Sequence, residues 1–258
     1  MKEIRIFTIG DITGRAGRNI LASKLPGLVD RERIDIVIAN GENSAGGKGM
    51  TPEVTRELFS RGIHVITSGN HVWNNSDILQ IIDSDLNLLR PANFPPDASG
   101  KGHCIINFKG INICVINLMG RELMSTIDCP FRKFDEIYEK VKNNSHIIIV
   151  DFHAEATSEK QALGWYVDGR ASALFGTHTH VQTADERILP NGTGYITDIG
   201  MTGAFDSVIG MKIEKSLRFF ISQTKVKFET AEENPGINGA IFTITDSGKT
   251  LAIKRIRE

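Results

Sequence analysis

His64-Val65-Ile66-Thr67-Ser68-Gly69-Asn70-His71 is the stretch from which the rest of the chain can be read. Its first four residues read as a strand, and its end delivers an amide and an imidazole. Gly69 is expected to turn the backbone through a positive φ, because it has no Cβ. Asn70 can offer a carbonyl oxygen to a metal ion, and His71 a ring nitrogen or a proton. Four other strand ends deliver metal-ligand types in the same way. They carry Asp11, Glu42-Asn43, His153, and the pair His178 and His180.

Toward the N-terminus, a β-rich run at 4–9 ends in Gly10-Asp11, and a helix is expected over about 16–29. A second strand at 34–39 ends in Asn40-Gly41-Glu42-Asn43, followed by a glycine-rich loop at 44–49 that should be exposed. Thr51-Pro52 opens a helix, with Thr51 as N-cap and Pro52 at the first position. Toward the C-terminus, 103–108 and 111–116 flank Lys109-Gly110 as a hairpin. Residues 118–130 look irregular, and a helix follows over 131–141. A buried strand at 147–150 ends in Asp151-Phe152-His153, and a helix runs from about 158 toward Gly169. The strand 173–176 ends in Thr177-His178-Thr179-His180, where strand alternation would point both imidazoles the same way. A second hairpin spans 187–197, an amphipathic helix 212–222, and strands are expected around 226–228, 239–245 and 250–256.

Alternating short apolar strands and helices argue for an α/β fold, drawn as two packed mixed sheets with helices outside. No linker interrupts the series of ligand-bearing loops, so a single domain over 1–258 is expected. The length of 258 residues and hydrophobic fraction of 40% allow a sizeable core. A net charge of −1 argues against a broad nucleic-acid surface. No segment approaches the roughly 18–20 apolar residues that cross a bilayer. The N-terminus lacks a signal-peptide pattern, and Cys104, Cys114 and Cys129 lack metal-binding spacing, which suits reduced thiols in a cytoplasmic protein. A homo-oligomer is left open.

Taken singly, each candidate has a structural reading. Asp11 could cap a helix, Glu42 and Asn43 could be solvated, Asn70 could brace its own turn, and His153 could be a satisfied core histidine. The set is more specific than its members. Asp11, Glu42, Asn43, Asn70, His153, His178 and His180 form a mixed N/O set without thiolate, suited to manganese, iron or zinc. They are too many for one tetrahedral ion. Two ions sharing Glu42 would use them well, and paired ions are a recurring device for phosphate-ester hydrolysis. His71 is then placed to protonate the leaving alkoxide.

Asp11, Gly69-Asn70-His71, His153 and Thr177-His178-Thr179-His180 resemble the calcineurin-like metallophosphoesterase pattern. That resemblance implies an α-β-β-α two-sheet sandwich and a dinuclear centre. The chain departs from the pattern at Asp11-Ile12-Thr13, which lacks the usual histidine, and at Gly41-Glu42-Asn43, where Glu42 replaces an aspartate. Those departures resemble the YmdB-like phosphodiesterases, as do Gly10-Asp11-Ile12-Thr13-Gly14-Arg15, Asn40-Gly41-Glu42-Asn43-Ser44-Ala45-Gly46-Gly47, Asp151-Phe152-His153-Ala154-Glu155-Ala156-Thr157-Ser158-Glu159-Lys160 and Thr197-Asp198-Ile199-Gly200-Met201-Thr202-Gly203. The match covers nearly the whole chain. It implies a cytoplasmic phosphodiesterase for cyclic nucleotides, 2′,3′-cyclic AMP included and 3′,5′-cyclic nucleotides left open, with two transition-metal ions, iron or manganese before zinc. By that resemblance Asp11, Glu42, Asn43 and His180 hold one ion. Glu42, Asn70, His153 and His178 hold the other, and His71 is the acid. Arg15 and Arg18 could meet phosphate or be surface charges, and 198–210 could turn near the site or be structural. A nucleotide-sensing regulatory protein with little turnover is the competing reading, and an intact His71 favours the enzyme. A metal amidohydrolase is disfavoured by the combination of Gly69-Asn70-His71 with His178 and His180.

Overall fold

The computed structural model describes residues 2–258. Strand β1 (Glu3–Ile9) leads into the short β2 (Asp11–Ile12) and helix α1 (Gly14–Glu32). Then come β3 (Ile36–Asn40), α2 (Pro52–Ser60), β4 (Val65–Thr67), and the hairpin of β5 (His103–Phe108) and β6 (Ile111–Met119). Helix α3 (Pro130–Val141), β7 (Ile147–His153), α4 (Thr157–Val167) and β8 (Ala173–Thr177) follow. The chain ends with β9 (Arg187–Ile188), β10 (Gly194–Ile196), β11 (Met201–Ala204), α5 (Ile213–Ser222), β12 (Pro235–Gly236), β13 (Asn238–Thr245) and β14 (Thr250–Arg257).

The strands form a five-stranded sheet ordered β14-β13-β1-β3-β4, a six-stranded sheet ordered β5-β6-β7-β8-β10-β9, and a small sheet ordered β12-β11-β2. β1, β3 and β4 are parallel, as are β6, β7 and β8. Their ends therefore point the same way within each sheet. Period-2 alternation divides the side chains. Ile4, Ile6, Ile36 and Ile38 join Ile113, Val115, Ile147, Ile149 and Phe175 in one cluster drawn from both large sheets. Phe7, Ile9, Val37 and Ala39 face the other way and pack with Leu21, Leu25 and Leu28 of α1 and Leu58 of α2. Cys114, Ile148, Val150 and Leu174 pack with Phe134 and Ile137 of α3 and Leu163 of α4. Burial of both strand faces explains why these strands read as apolar runs.

Local chemistry sets the connections. Thr51 Oγ1 accepts from the Val54 amide at 3.2 Å, and Pro52 begins α2. Lys109 and Gly110 take φ of 50° and 88°, the double positive that a two-residue hairpin turn needs. Helix α1 runs to Glu32, past the expected end at 29, and carries Pro26 on its exposed face. The loop at 44–49 is less exposed than its glycines suggest. Only Gly46 and Lys48 are exposed there, and Gly47 donates to the Asn43 carbonyl at 3.1 Å.

The strand expected at 226–228 is not formed. Phe228 packs instead against Phe219 of α5, with ring centroids 5.5 Å apart. Alternation there supplies a side-chain pattern without a neighbouring strand to complete the ladder. Among the described residues, no helix is long and apolar enough to cross a membrane.

Candidate metal centre

Segments leaving β1, β3 and β4 meet segments leaving β7 and β8. Asp11 follows β1, Glu42 and Asn43 follow β3, and Asn70 and His71 follow β4. His153 ends β7, and His178 and His180 lie beyond β8. Two local expectations are corrected. Gly69 is not at positive φ. It is glycine because a Cβ there would collide with the His153 ring. The strand also stops at Thr177, and His178 and His180 turn through φ of 101° and 66°. Their convergence therefore owes nothing to strand alternation. Asp198 holds the turn by accepting from the Thr179 amide at 3.2 Å and its hydroxyl at 2.8 Å, while Asp11 Oδ2 accepts from the His178 amide at 3.1 Å.

His153 Nε2 lies 3.0 Å from Asn70 Oδ1, 3.0 Å from His178 Nδ1 and 3.1 Å from Glu42 Oε1. Glu42, His153 and His178 each present a ligand atom within 4.8 Å of the others. A second group adjoins the first. Asn43 Nδ2 is 3.1 Å from His180 Nε2 and 3.4 Å from Glu42 Oε1, and Asp11 Oδ1 is 3.8 Å from His180 Nε2. A half-turn of the Asn43 amide would present its oxygen at the same place. All seven residues singled out as ligands are thus brought together, and Glu42 touches both groups.

The outer nitrogens of the three imidazoles show what the cluster suits. His153 Nδ1 meets Thr177 Oγ1 at 2.9 Å, and that hydroxyl donates to Asp151 Oδ1 at 2.7 Å. Asp151 also accepts from the Thr67 hydroxyl and from Asn40 Nδ2 at 3.3 Å. His178 Nε2 lies 3.0 Å from Glu155 Oε2. His180 Nδ1 lies 2.8 Å from the Ile209 carbonyl oxygen. Each neutral ring can donate outward and turn a lone pair inward, the usual way of orienting histidine ligands. Inward lone pairs and a carboxylate about 3 Å apart repel unless a proton or cation lies among them. Asp11 Oδ1 is buried and has no hydrogen-bond partner among the described residues. Such an orphan calls for an explanation. A cation supplies it, and the N/O donor set fits a transition metal.

Without an ion the cluster holds a proton instead. Burial weighs most on His153 and disfavours its charge, yet Glu42 and Asp11 outweigh it and hold the pKa up at about 9. Burial likewise opposes the Glu42 carboxylate, but His153 and His71 hold its pKa well down. Burial and the His153 charge push His178 down to about 3. Burial lifts Asp151 to about 7 against the hydrogen bonds from Thr67 and Thr177.

His71 stands apart from the ligand nitrogens. Its backbone amide donates to Glu42 Oε2 at 3.0 Å, and its half-buried ring lines a cleft of about 450 Å³. Burial lowers its pKa, with Glu42 opposing. Arg15 meets the exposed Glu232 at 2.7 Å, and Arg18 meets Glu57 at 3.1 Å. Both are engaged by carboxylates at or near the surface.

Several supporting residues escaped the sequence. Asp151 carried a faint signal, two residues before His153 in a strand and so on its face. Glu155 and Lys160 stand inside the motif that carries the resemblance, with no role attached to either. Asp198 lay in a segment whose role was open. It is buried and accepts from Lys160 Nζ at 2.7 Å, and Lys160 is itself fully buried on a helix.

The YmdB-like protein family model matches residues 7–256. A 2′,3′-cyclic-nucleotide 2′-phosphodiesterase of Bacillus subtilis is 46% identical over 254 residues, 98% of this chain and 96% of its own. A crystal structure of a hypothetical protein from Thermus thermophilus matches with a TM-score of 0.93 at 38% identity, covering 99% of each chain. The crystal structure of a novel phosphatase from Mycoplasma pneumoniae matches at 0.94 and 36% identity, covering 100% of this chain and 94% of that one.

Proposed function

The chain belongs to the YmdB-like protein family, and from that premise we propose that it is a dinuclear metal phosphodiesterase of cyclic nucleotides, with His71 as general acid. The similarity to a 2′,3′-cyclic-nucleotide 2′-phosphodiesterase supports 2′,3′-cyclic AMP as a substrate, with 3′,5′-cyclic nucleotides a second class to test. The observation that carries the reading is the convergence of His153 and His178 on Glu42, with His180 turned toward Asn43 and Asp11 beside it. Asp11, Glu42, Asn43 and His180 would hold one ion, and Glu42, Asn70, His153 and His178 the other. Iron or manganese, with zinc also suited, would supply Lewis acidity and an activated water. The residues then divide the remaining work. Thr177, Glu155 and the Ile209 carbonyl orient the imidazoles. The His71 amide fixes Glu42, while its ring faces the cleft and can protonate the leaving oxygen. The cluster drawn from both large sheets supports the α-β-β-α sandwich and a single metallophosphoesterase-like domain over 1–258. Three free cysteines suit a cytoplasmic setting.

The test is anaerobic purification, metal analysis, and a screen of 2′,3′- and 3′,5′-cyclic nucleotides. Two ions per chain and diester hydrolysis are expected. One ion per chain at full loading, or action on monoesters alone, overturns the reading.

A proton count checks the centre independently. At about pH 7.5 the metal-free His153, with its pKa near 9, carries a proton that a ligand nitrogen must shed. Loading should release about one proton per chain from it, and affinity should rise with pH up to about 9. Calorimetry in buffers of different ionisation enthalpy measures the release. Loading without proton release would overturn the protonated state of metal-free His153, and retention of both ions in His153→Ala would refute its role as a ligand.

A further inference from the structure

The cleft beside the candidate metal centre is lined by two unlike sets of side chains, His71, His178 and His180 on the one hand and Ile209, Phe219, Phe220 and Phe228 on the other. Helix α5 buries Ser216, whereas Phe220 is 65% exposed, and Phe228 beside it is 41% exposed. Among the described residues, Phe219, Phe220 and Phe228 belong to none of the buried hydrophobic clusters. The fold does not use them as core. They are nonetheless organised, since Phe219 lies edge-on to Phe220 at 5.3 Å and to Phe228 at 5.5 Å between centroids.

This aromatic wall is tied to the metal centre. Ile209 lines the cleft, and its carbonyl holds His180 Nδ1 at 2.8 Å. Ile209 does so at φ 48°, a conformation that a β-branched residue rarely adopts. Such strain persists only where surrounding structure enforces it. The Lys212–Glu229 pair, 2.9 Å long, fastens the start of α5 to the segment carrying Phe228. Wall and ligand are thus held in one register.

We propose that Phe219, Phe220 and Phe228 form a nucleobase subsite, stacking on the base of a nucleoside cyclic phosphate whose phosphate lies at the ligand cluster. The assignment rests on the phosphodiesterase reading above and deepens it. The aromatic rings and the ligand imidazoles line one cleft of about 450 Å³, which selects the base of the substrate over a separate partner. These side chains offer π-faces without hydrogen-bonding groups, so the subsite should accept every base. Purines, with the larger face, should be favoured.

The experiment compares 2′,3′-cyclic AMP with a cyclic phosphodiester that lacks a base, such as ethylene glycol cyclic phosphate. In Phe228→Ala and Phe220→Ala, the ratio of kcat/KM for the nucleotide to that for the baseless diester should fall about 10-fold or more, as loss of one base–aromatic stack predicts. Phe228→Trp, which keeps a π-face, should restore the ratio. An unchanged ratio in both alanine variants overturns the subsite while leaving the phosphodiesterase reading intact. So does a change of sedimenting mass in the alanine variants, which would make the aromatic face a contact between copies of the chain. If the unsubstituted protein hydrolyses no diester, the phosphodiesterase reading fails by itself. Calorimetric binding of adenosine 3′-monophosphate then decides the subsite, which binding equal in Phe228→Ala would overturn.

Discussion

Replacing His71 with alanine should leave two ions in place and slow hydrolysis of a 2′,3′-cyclic nucleotide by about 10²–10⁴-fold, the usual contribution of general acid catalysis. Ion retention follows from geometry. The His71 backbone amide donates to Glu42 Oε2 at 3.0 Å, which alanine preserves, and the ring meets the ligand cluster only at the nitrogen of the Asn70 amide, at 3.5 Å, and not at its ligand oxygen. The ring faces the cleft, where a leaving oxygen would need a proton. p-Nitrophenolate leaves with little protonation, so bis-p-nitrophenyl phosphate should lose much less in the same variant. Metal analysis and the two assays together are decisive. Equal losses with ions retained would make His71 a hydrogen-bond donor that binds the phosphate, and loss of an ion would make it a ligand.

Lys160→Met should destabilise the metal-free protein by about 3–5 kcal/mol, the cost of breaking one partner out of a buried ion pair. Lys160 and Asp198 are both fully buried, and their contact is 2.7 Å. Methionine keeps the volume but strands the Asp198 charge. A surface pair such as Lys133–Glu136, at 2.6 Å, contributes only about 0–1 kcal/mol despite its shorter distance. Asp198 also holds the Thr179 turn, so the variant should bind metal more weakly as well. Urea unfolding of metal-free protein measures the first effect and metal titration the second. Lys160→Met/Asp198→Asn should recover part of the stability, because no charge is then left unpaired. A single variant as stable as the parent would remove the pair from the scaffold of the site.

The expected elements were legible where local chemistry and long-range burial agree. Thr51-Pro52 announces a helix start, and Lys109-Gly110 a hairpin, because capping and positive φ are decided within a few residues. The run Val226-Lys227-Phe228 has strand chemistry but no strand beside it, which no local pattern can reveal. The residues that gather at the candidate site were legible because a strand followed by a ligand type is written in sequence order. Their supports were not. Glu155 reaches His178 only after the segment leaving β7 and the turn beyond β8 approach, and Lys160 reads as a helix lysine without a role until Asp198 is brought under it. The error at His178 and His180 has a small origin, a strand that stops at Thr177 and a chain that then reverses its handedness.

The two large sheets bring different halves of an incomplete vocabulary. Among the seven proposed ligands, those on segments leaving the first sheet are the oxygen donors, Asp11, Glu42, Asn43 and Asn70, and those at the ends of the second are the nitrogen donors, His153, His178 and His180. Neither half spells a transition-metal site without the other. An ion held there would draw on both sheets at once and act as a rivet across their seam.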